Sequence, residues 1–222
     1  MILALETSSS LCAACVYDPA LGKALADVSN DIGRGHAEQL MDDVAEALAL
    51  AGIGYRDLTA IACGAGPGSF TGIRVGVAAA RGFGLALKLK VHGVTSLQAI
   101  ALSAKSRARG NPILVVQDAG RDELHVQIFD ADARPVTASQ ALTLPVLLGQ
   151  LPDAHAFVCG SGAHLLAGSG KCEISTLKAA ATASAVARAS LDPAMTVPPN
   201  PVYLRAPDAK PQAGFAIGRA SP

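Results

Sequence analysis

Residues 2–18, ILALETSSSLCAACVYD, open on an apolar run, break at a polar turn and resume as a second run ending in an aromatic residue and an aspartate. That pattern predicts a β-hairpin: strand, short polar turn, strand. Residues 113–130, ILVVQDAGRDELHVQIFD, repeat it about half the chain later. A second echo follows in the same order. Leu58, Ala60, Ile61 and Ala62 lead into the glycine turn 64–68 and a helix, and residues 156–159 lead into Gly160-Ser-Gly162 and an apolar helical start at His164, Leu165 and Leu166. The repeat is too long for a solenoid and predicts two like domains, 1–109 and 110–206, divided at Gly110-Asn-Pro112.

Four helices stand out between these elements. Residues 36–51 place Leu40, Val44, Leu48 and Ala51 on one face and Glu38, Asp42, Asp43 and Glu46 mostly on the other, with Gly52 as the stop. A second helix, capped by Ser69 or Thr71, runs to about Lys90. Within it Gly72, Gly76, Ala80 and Gly84 recur every four residues, forming a stripe without large side chains. Each interior glycine costs about 1 kcal/mol against alanine, so the stripe calls for a close approach of something. Only Arg74, Arg81 and Lys88 are charged on this helix, so more than one side must be covered. The sheet takes one side. The other falls to helix 36–51 or to a second protein. Further helices span Ser96 to about Arg107 and residues 178–191. From Pro193 onward seven of the thirteen prolines appear, and residues 207–222 are expected to form a flexible tail.

The turn at 64–68 joins a strand to a helix N-terminus, a geometry that aims backbone N–H groups at an anion. It matches neither common nucleotide motif. A P-loop ends Gly-Lys-Ser/Thr, whereas this turn ends Ser69-Phe-Thr-Gly72. The dinucleotide fingerprint lacks its last glycine, and Lys88 and Lys90 stand where its acidic residue belongs. A plain turn into a closely packed helix is the competing reading.

Composition narrows the setting. Half of the 222 residues are hydrophobic and 16% are charged, enough apolar material for a large core. Lysine plus arginine equals aspartate plus glutamate at 18 each, so no basic footprint for gripping a nucleic acid alone is present. Five cysteines without framework spacing suit a reducing compartment. Glu6 comes too early for a signal peptide, and no uncharged apolar run reaches membrane-spanning length. A soluble, cytoplasmic protein without a membrane role is expected.

Leu5-Glu-Thr-Ser8, Arg34-Gly-His-Ala-Glu38 and Gly64-x-Gly-Pro-Gly-Ser-Phe-Thr-Gly-Ile-Arg74 resemble the TsaB family, bacterial accessory subunits for threonylcarbamoyladenosine synthesis on tRNA. Thr95-Ser96-Leu97 and Pro201-Val-Tyr-Leu-Arg205 extend the resemblance over nearly the whole chain. It implies an α/β protein of the actin-like ATPase fold: two ribonuclease-H-like halves with mixed sheets and flanking helices. It further implies a non-catalytic scaffold for the catalytic subunit TsaD, working with the ATPase TsaE and meeting tRNA only through the complex. The helices at 36–51 and 72–89 would form a surface shared by a self-dimer and the TsaD complex, through Gly72, Val75, Gly76, Ala79, Ala80, Gly84, His36, Leu40 and Val44. The second hairpin departs from the family, reading Asp118-Ala-Gly-Arg-Asp-Glu-Leu-His125 where members carry Asp-Ala-Arg and then Glu-Val-Tyr.

In actin-like ATPases the first turn meets phosphate and magnesium, which assigns Glu6, Thr7, Ser8, Asp118, Gly160 and Gly162 to a vestigial nucleotide cleft. Weak ATP or ADP with magnesium fits there, Glu6 and Asp118 approaching one ion; a hairpin turn bonding its own backbone explains Thr7 and Ser8 equally well. No tightly bound cofactor or metal and no catalytic residue is expected. Of His36, His92, His125, His155 and His164 no pair has the spacing of the TsaD metal motif. Cys12 and Cys15 sit three apart on a strand and therefore point to opposite faces. No Gly-x-Ser-x-Gly elbow supports the peptidase reading once attached to the family. An autonomous ATPase or phosphotransferase using Glu6 and Asp118 is the alternative.

Overall fold

The computed structural model describes residues 1–151, 156–167, 172–174 and 180–204, and within them one sheet-and-helix pattern occurs twice. In the first half β1 (Ile2–Glu6), β2 (Leu11–Asp18) and β3 (Lys23–Asp31) form an antiparallel meander. After them come α1 (His36–Ala51), β4 (Ala60–Gly64), α2 (Phe70–Leu87), β5 (Lys90–Val94) and α3 (Ser96–Ala108). β4 pairs parallel with β1, and β5 with β4, giving the order β3-β2-β1-β4-β5. The second half has β6 (Ile113–Asp118), β7 (Glu123–Phe129), β8 (Gln140–Thr143), α4 (Leu144–Gln150), β9 (Ala156–Cys159), β10 (Cys172–Ile174) and α5 (Ala183–Ala189). Its order, β10-β9-β6-β7-β8, has the same connectivity. This duplicated mixed sheet is the actin-like ATPase architecture.

The two expected hairpins are β1–β2 and β6–β7. Ile2 pairs with Tyr17, and Ile113 with Phe129. β1 reads as continuous apolar sequence because both of its faces are covered. Leu3 and Leu5 turn to an outer layer with Leu40, Val44, Ile73 and Val77 from α1 and α2. Ile2 and Ala4 turn to a central layer holding Leu97 and Ile100 of α3 and Val186 of α5. A third cluster joins Leu114, Val116 and Val126 to Leu147 under α4. Cys15 belongs to the central layer and Cys12 to the outer one, as strand alternation requires.

The central layer is where the halves meet. α3 packs on β6 of the second sheet, while α5 packs back on β1 and β2 of the first. Five of the seven residues of α5 are alanine or serine, which lets it lie close between sheet and helix. Downstream, Gly93 and Val197 exchange backbone hydrogen bonds, and Val202 N donates to Ala65 O at 2.7 Å.

Several elements differ from expectation. β3 and β8 are edge strands whose exposed polar residues hide the alternation. The second glycine turn leads into one 3₁₀ turn, Ala163–Leu166, not a full helix. The helix expected at 178–191 is α5, capped by Thr182. The tail at 207–222, Arg205 and His155 lie outside the described residues.

Candidate functional site

α2 begins where Ser69 Oγ accepts from Gly72 N at 3.2 Å, and it ends at Lys88 in the left-handed region. Its small-residue stripe faces inward. A Cβ on Gly72 would fall on the Thr7 carbonyl oxygen, one on Gly76 on Thr7 Oγ1, and one on Gly84 on Val91 of β5. Thr7 Oγ1 donates to Gly72 O at 2.8 Å, so the residue after β1 is tied to the helix as well as packed against it. The interface assignment of Gly72, Gly76, Ala80 and Gly84 is therefore corrected: the protein's own sheet occupies the space those missing side chains leave.

The same holds for α1. Leu40 and Val44 are fully buried on the first sheet. His36 is buried as well, its Nε2 3.0 Å from Ser9 O, so it ties α1 to the first hairpin turn. Of the nine predicted interface residues only Val75 and Ala79 are partly exposed. The outward faces of both helices nonetheless carry an apolar stripe beside the exposed charges Glu38, Asp42, Glu46, Arg74 and Arg81. α1 shows Ala37, Met41 (45% exposed), Ala45 and Ala49, while α2 shows Ala78, Gly82, Leu85 (84%) and Ala86.

Three amides at and beside the glycine turn are engaged within the chain. Ala65 N donates to Val94 O, Ser69 N to Ser8 O, both at 2.7 Å, and Gly72 N to Ser69 Oγ. These amides are consumed by the chain's own oxygens.

Between the halves lies a cleft of about 350 Å³, lined by Ser8, Ser9, Gly68, Ser69, Gln117, Asp118, Ala119, His125 and Ser161. Of the expected cleft residues, Ser8 and Asp118 line it. Glu6 does not. It is fully buried, its Oε1 accepts from Ser8 N, and its Oε2 lies against Gly64 without a hydrogen-bond partner. Burial pushes its carboxyl up from the ordinary range, against the opposing effect of the Ser8 hydrogen bond. Thr7 is held under Gly72. Gly160 and Gly162 are buried against Val116 of β6, and Ser161 between them is the residue that reaches the cleft. The pairing of Glu6 with Asp118 overlooked the repeat: matched from Ile2 and Ile113, Glu6 corresponds to Gln117 and Thr7 to Asp118.

Asp118 is exposed, and its Oδ1 accepts from Gly120 N at 2.8 Å. Among the described residues no three His, Cys, Asp or Glu side chains gather as a metal-binding group. Cys12, Cys15, Cys63 and Cys159 are free and buried, and burial pushes each thiol up to about 12. His92 on β5 is half-buried, and burial, then Lys90, lowers its affinity for a proton. Thr95 caps α3, and Ser96 Oγ lies 2.8 Å from Ser8 Oγ.

Sequence reasoning missed one surface cluster. Arg74 Nε donates to the Tyr203 hydroxyl at 2.8 Å, and its guanidinium lies 3.7 Å from the Phe70 ring centre. The Phe70 and Tyr203 rings are 5.1 Å apart. Thus the string ending at Arg74 and the one containing Tyr203, far apart in the chain, meet at the start of α2.

Comparison with known proteins gives a consistent result. The profile of the family described as TsaD, tRNA N6-adenosine threonylcarbamoyltransferase, matches residues 28–142. An uncharacterized protein of Mycobacterium leprae is 36% identical over 214 residues, 95% of this chain and 56% of the relative. The tRNA threonylcarbamoyladenosine biosynthesis protein TsaB of Escherichia coli is 29% identical over 131 residues, 59% of this chain and 55% of that protein. The chain thus matches a little over half the length of each of these two relatives. A crystal structure of a Pseudomonas aeruginosa protein described as similar to peptidase YEAZ superimposes with a TM-score of 0.79 at 25% identity, over 92% of this chain and 99% of that one.

Proposed function

The chain belongs to the TsaB family, within the wider family of the threonylcarbamoyltransferase TsaD, and we propose that it acts in tRNA threonylcarbamoyladenosine synthesis as a non-catalytic scaffold. The observation that carries this reading is the outward face of α1 and α2. A stripe of alanine, glycine, methionine and leucine flanked by the exposed charges of Glu38, Asp42, Glu46, Arg74 and Arg81 suits a contact with an apolar centre and a polar rim. Small residues let two backbones approach, and dispersion over the contact supplies affinity. TsaD is the partner the reading assigns to it, and a second copy of this chain covers it when TsaD is absent. TsaE joins the assembly, tRNA is reached through the complex, and the work is cytoplasmic. The alternative, an autonomous ATPase using Glu6 and Asp118, draws little support from a Glu6 buried against Gly64.

The test uses Ala45→Glu and Ala78→Glu, both at exposed positions. Each places a carboxylate in a contact that must dehydrate it, and association with purified TsaD is expected to weaken at least tenfold while thermal melting stays unchanged. A double variant that binds TsaD and supports tRNA modification like wild type would refute the docking face. ATP turnover by the chain alone, at the rate of the full mixture, would favour the enzyme reading.

A further inference from the structure

The neutral total hides a separation of charge along the chain. Residues 1–57 hold nine aspartates and glutamates against three lysines and arginines, whereas residues 58–117 hold seven lysines and arginines and no aspartate or glutamate. The fold turns that order into geometry. The first sheet runs β3-β2-β1-β4-β5, with α1 on β2 and β3 and α2 on β4 and β5. Exposed Asp27, Asp31, Asp42 and Glu46 therefore lie toward one edge, and exposed Lys88 and Lys90 toward the other. Lys90 starts β5, which ends at Val94 against the turn whose Gly68 and Ser69 line the cleft. Arg107 and Arg109 end α3, just before β6 sets out from Ile113 toward Asp118 in the cleft. At about 3.3 Å per strand residue, both pairs stand roughly 15 Å behind the cleft, at one end of the molecule. All four cations are exposed, and among the described residues none of them shares an ion pair. Carboxylates at that end have partners of their own. Asp132 holds Lys105 at 2.8 Å, Asp192 holds Arg134 at 3.4 Å, and Asp57 Oδ2 accepts from Gly54 N at 2.8 Å.

We propose that Lys88, Lys90, Arg107 and Arg109 contact the phosphate backbone of a structured RNA, which is the tRNA held by the assembled complex. The proposal rests on the reading that this chain docks on TsaD in tRNA modification. Four phosphate contacts are too few to hold an RNA against salt, so the chain alone does not grip it. Added to a grip that a partner begins, they strengthen it and set its direction. Lysine and arginine on phosphates position an RNA without reading its sequence. The opposite edge, rich in carboxylates, repels the same backbone, so the RNA is admitted from the β5 side only.

The experiment measures the tRNA affinity of the full chain assembled with purified TsaD, over a range of salt concentrations. The triple variant Lys90→Gln, Arg107→Gln, Arg109→Gln removes three charges at exposed positions. With one phosphate per charge, the slope of log affinity against log salt becomes shallower by roughly 2–3, and affinity near 0.15 M salt falls roughly fiftyfold or more. Arg107→Lys with Arg109→Lys keeps the charges and should keep the slope. Lys23→Gln with Arg34→Gln, on the acidic side, is the control and should leave slope and affinity as in wild type. Thermal melting, and sedimentation with TsaD in the absence of RNA, should match wild type for every variant. An unchanged slope in the assembled triple variant, or an equal loss in the control, would overturn the phosphate contact and leave the docking on TsaD standing. A triple variant that melts normally but no longer assembles with TsaD would show these cations facing protein, which overturns it as well. Failure of the wild-type chain to assemble with TsaD would overturn the docking and this proposal with it.

Discussion

The substitution Gly72→Ala isolates what the stripe on α2 does. Its new Cβ would sit on the Thr7 carbonyl oxygen, with the Thr7 carbonyl carbon 3.2 Å away. That carbonyl follows directly after β1 and cannot swing aside like a side chain, so α2 must retreat by roughly 1 Å to restore an ordinary carbon–oxygen distance. Overpacking of this kind costs about 1–3 kcal/mol, and rigid backbone places it near the upper end. Retreat also stretches the buried bond from Thr7 Oγ1 to Gly72 O, worth about 1 kcal/mol. Alanine returns about 1 kcal/mol of helix propensity. The net loss is therefore about 3 kcal/mol, which for a chain of this size lowers the melting temperature by roughly 6–12 °C. Gly82→Ala, on the same helix, is the control, because nothing lies within 4 Å of its Cβ. It keeps the propensity gain alone and is expected to melt roughly 2–4 °C higher. Differential scanning calorimetry on both variants decides the matter. If Gly72→Ala melts at or above wild type, the stripe does not lie on β1. Affinity for TsaD per folded molecule should be unchanged in Gly72→Ala, whose new side chain points inward; Gly82 lies on the outward face, so its variant is a control for stability alone.

Glu6→Gln tests the buried carboxyl. Because burial raises its folded pKa, the folded state binds the extra proton more strongly; that contribution is complete below the unfolded value of about 4.5 and is lost as pH rises through the folded value. Wild type should lose stability relative to Glu6→Gln as pH rises above 4.5 toward neutrality, and parallel melting curves over that range would refute the assignment. Tyr203→Phe removes the hydroxyl that receives Arg74 Nε, a partly exposed bond worth about 1 kcal/mol. Hydrogen exchange at the Val202 amide should then quicken about fivefold, and an unchanged rate would mean that Arg74 does not hold the terminal segment against the glycine turn.

The elements that define the fold were legible because their patterns are local. Both hairpins, α1 with its Gly52 stop, α2 from Ser69 and α3 from Thr95 follow from periodicity and capping chemistry. What covers each face was not legible. Four-residue spacing singles out the Gly72 stripe but is silent on whether Thr7 or a partner fills it, since either would favour glycine there. The cleft failed for a different reason. Pairing Glu6 with Asp118 takes the two carboxylates of two turns as equivalents, although the repeat aligns Asp118 with Thr7, and the closeness of Glu6 to Gly64 that buries it is not written in any spacing. The meeting of Arg74 with Tyr203 depends on how the terminal segment runs past Ala65, and no spacing along the chain encodes that.

The position of α5 bears on how the molecule is made. As the chain leaves the ribosome, residues 1–108 can pair their strands and seat α1 and α2, but the inner side of that sheet still lacks the helix that covers it. Ala4, Ala13 and Cys15 stay without their final neighbours until residues 183–204 emerge and α5 and the following segment fold back. The N-terminal half, although synthesised first, thus has to wait for the C-terminal one, an exception to the usual order in which early domains fold as units. During that interval the exposed inner face of the nascent sheet is the surface a chaperone would hold.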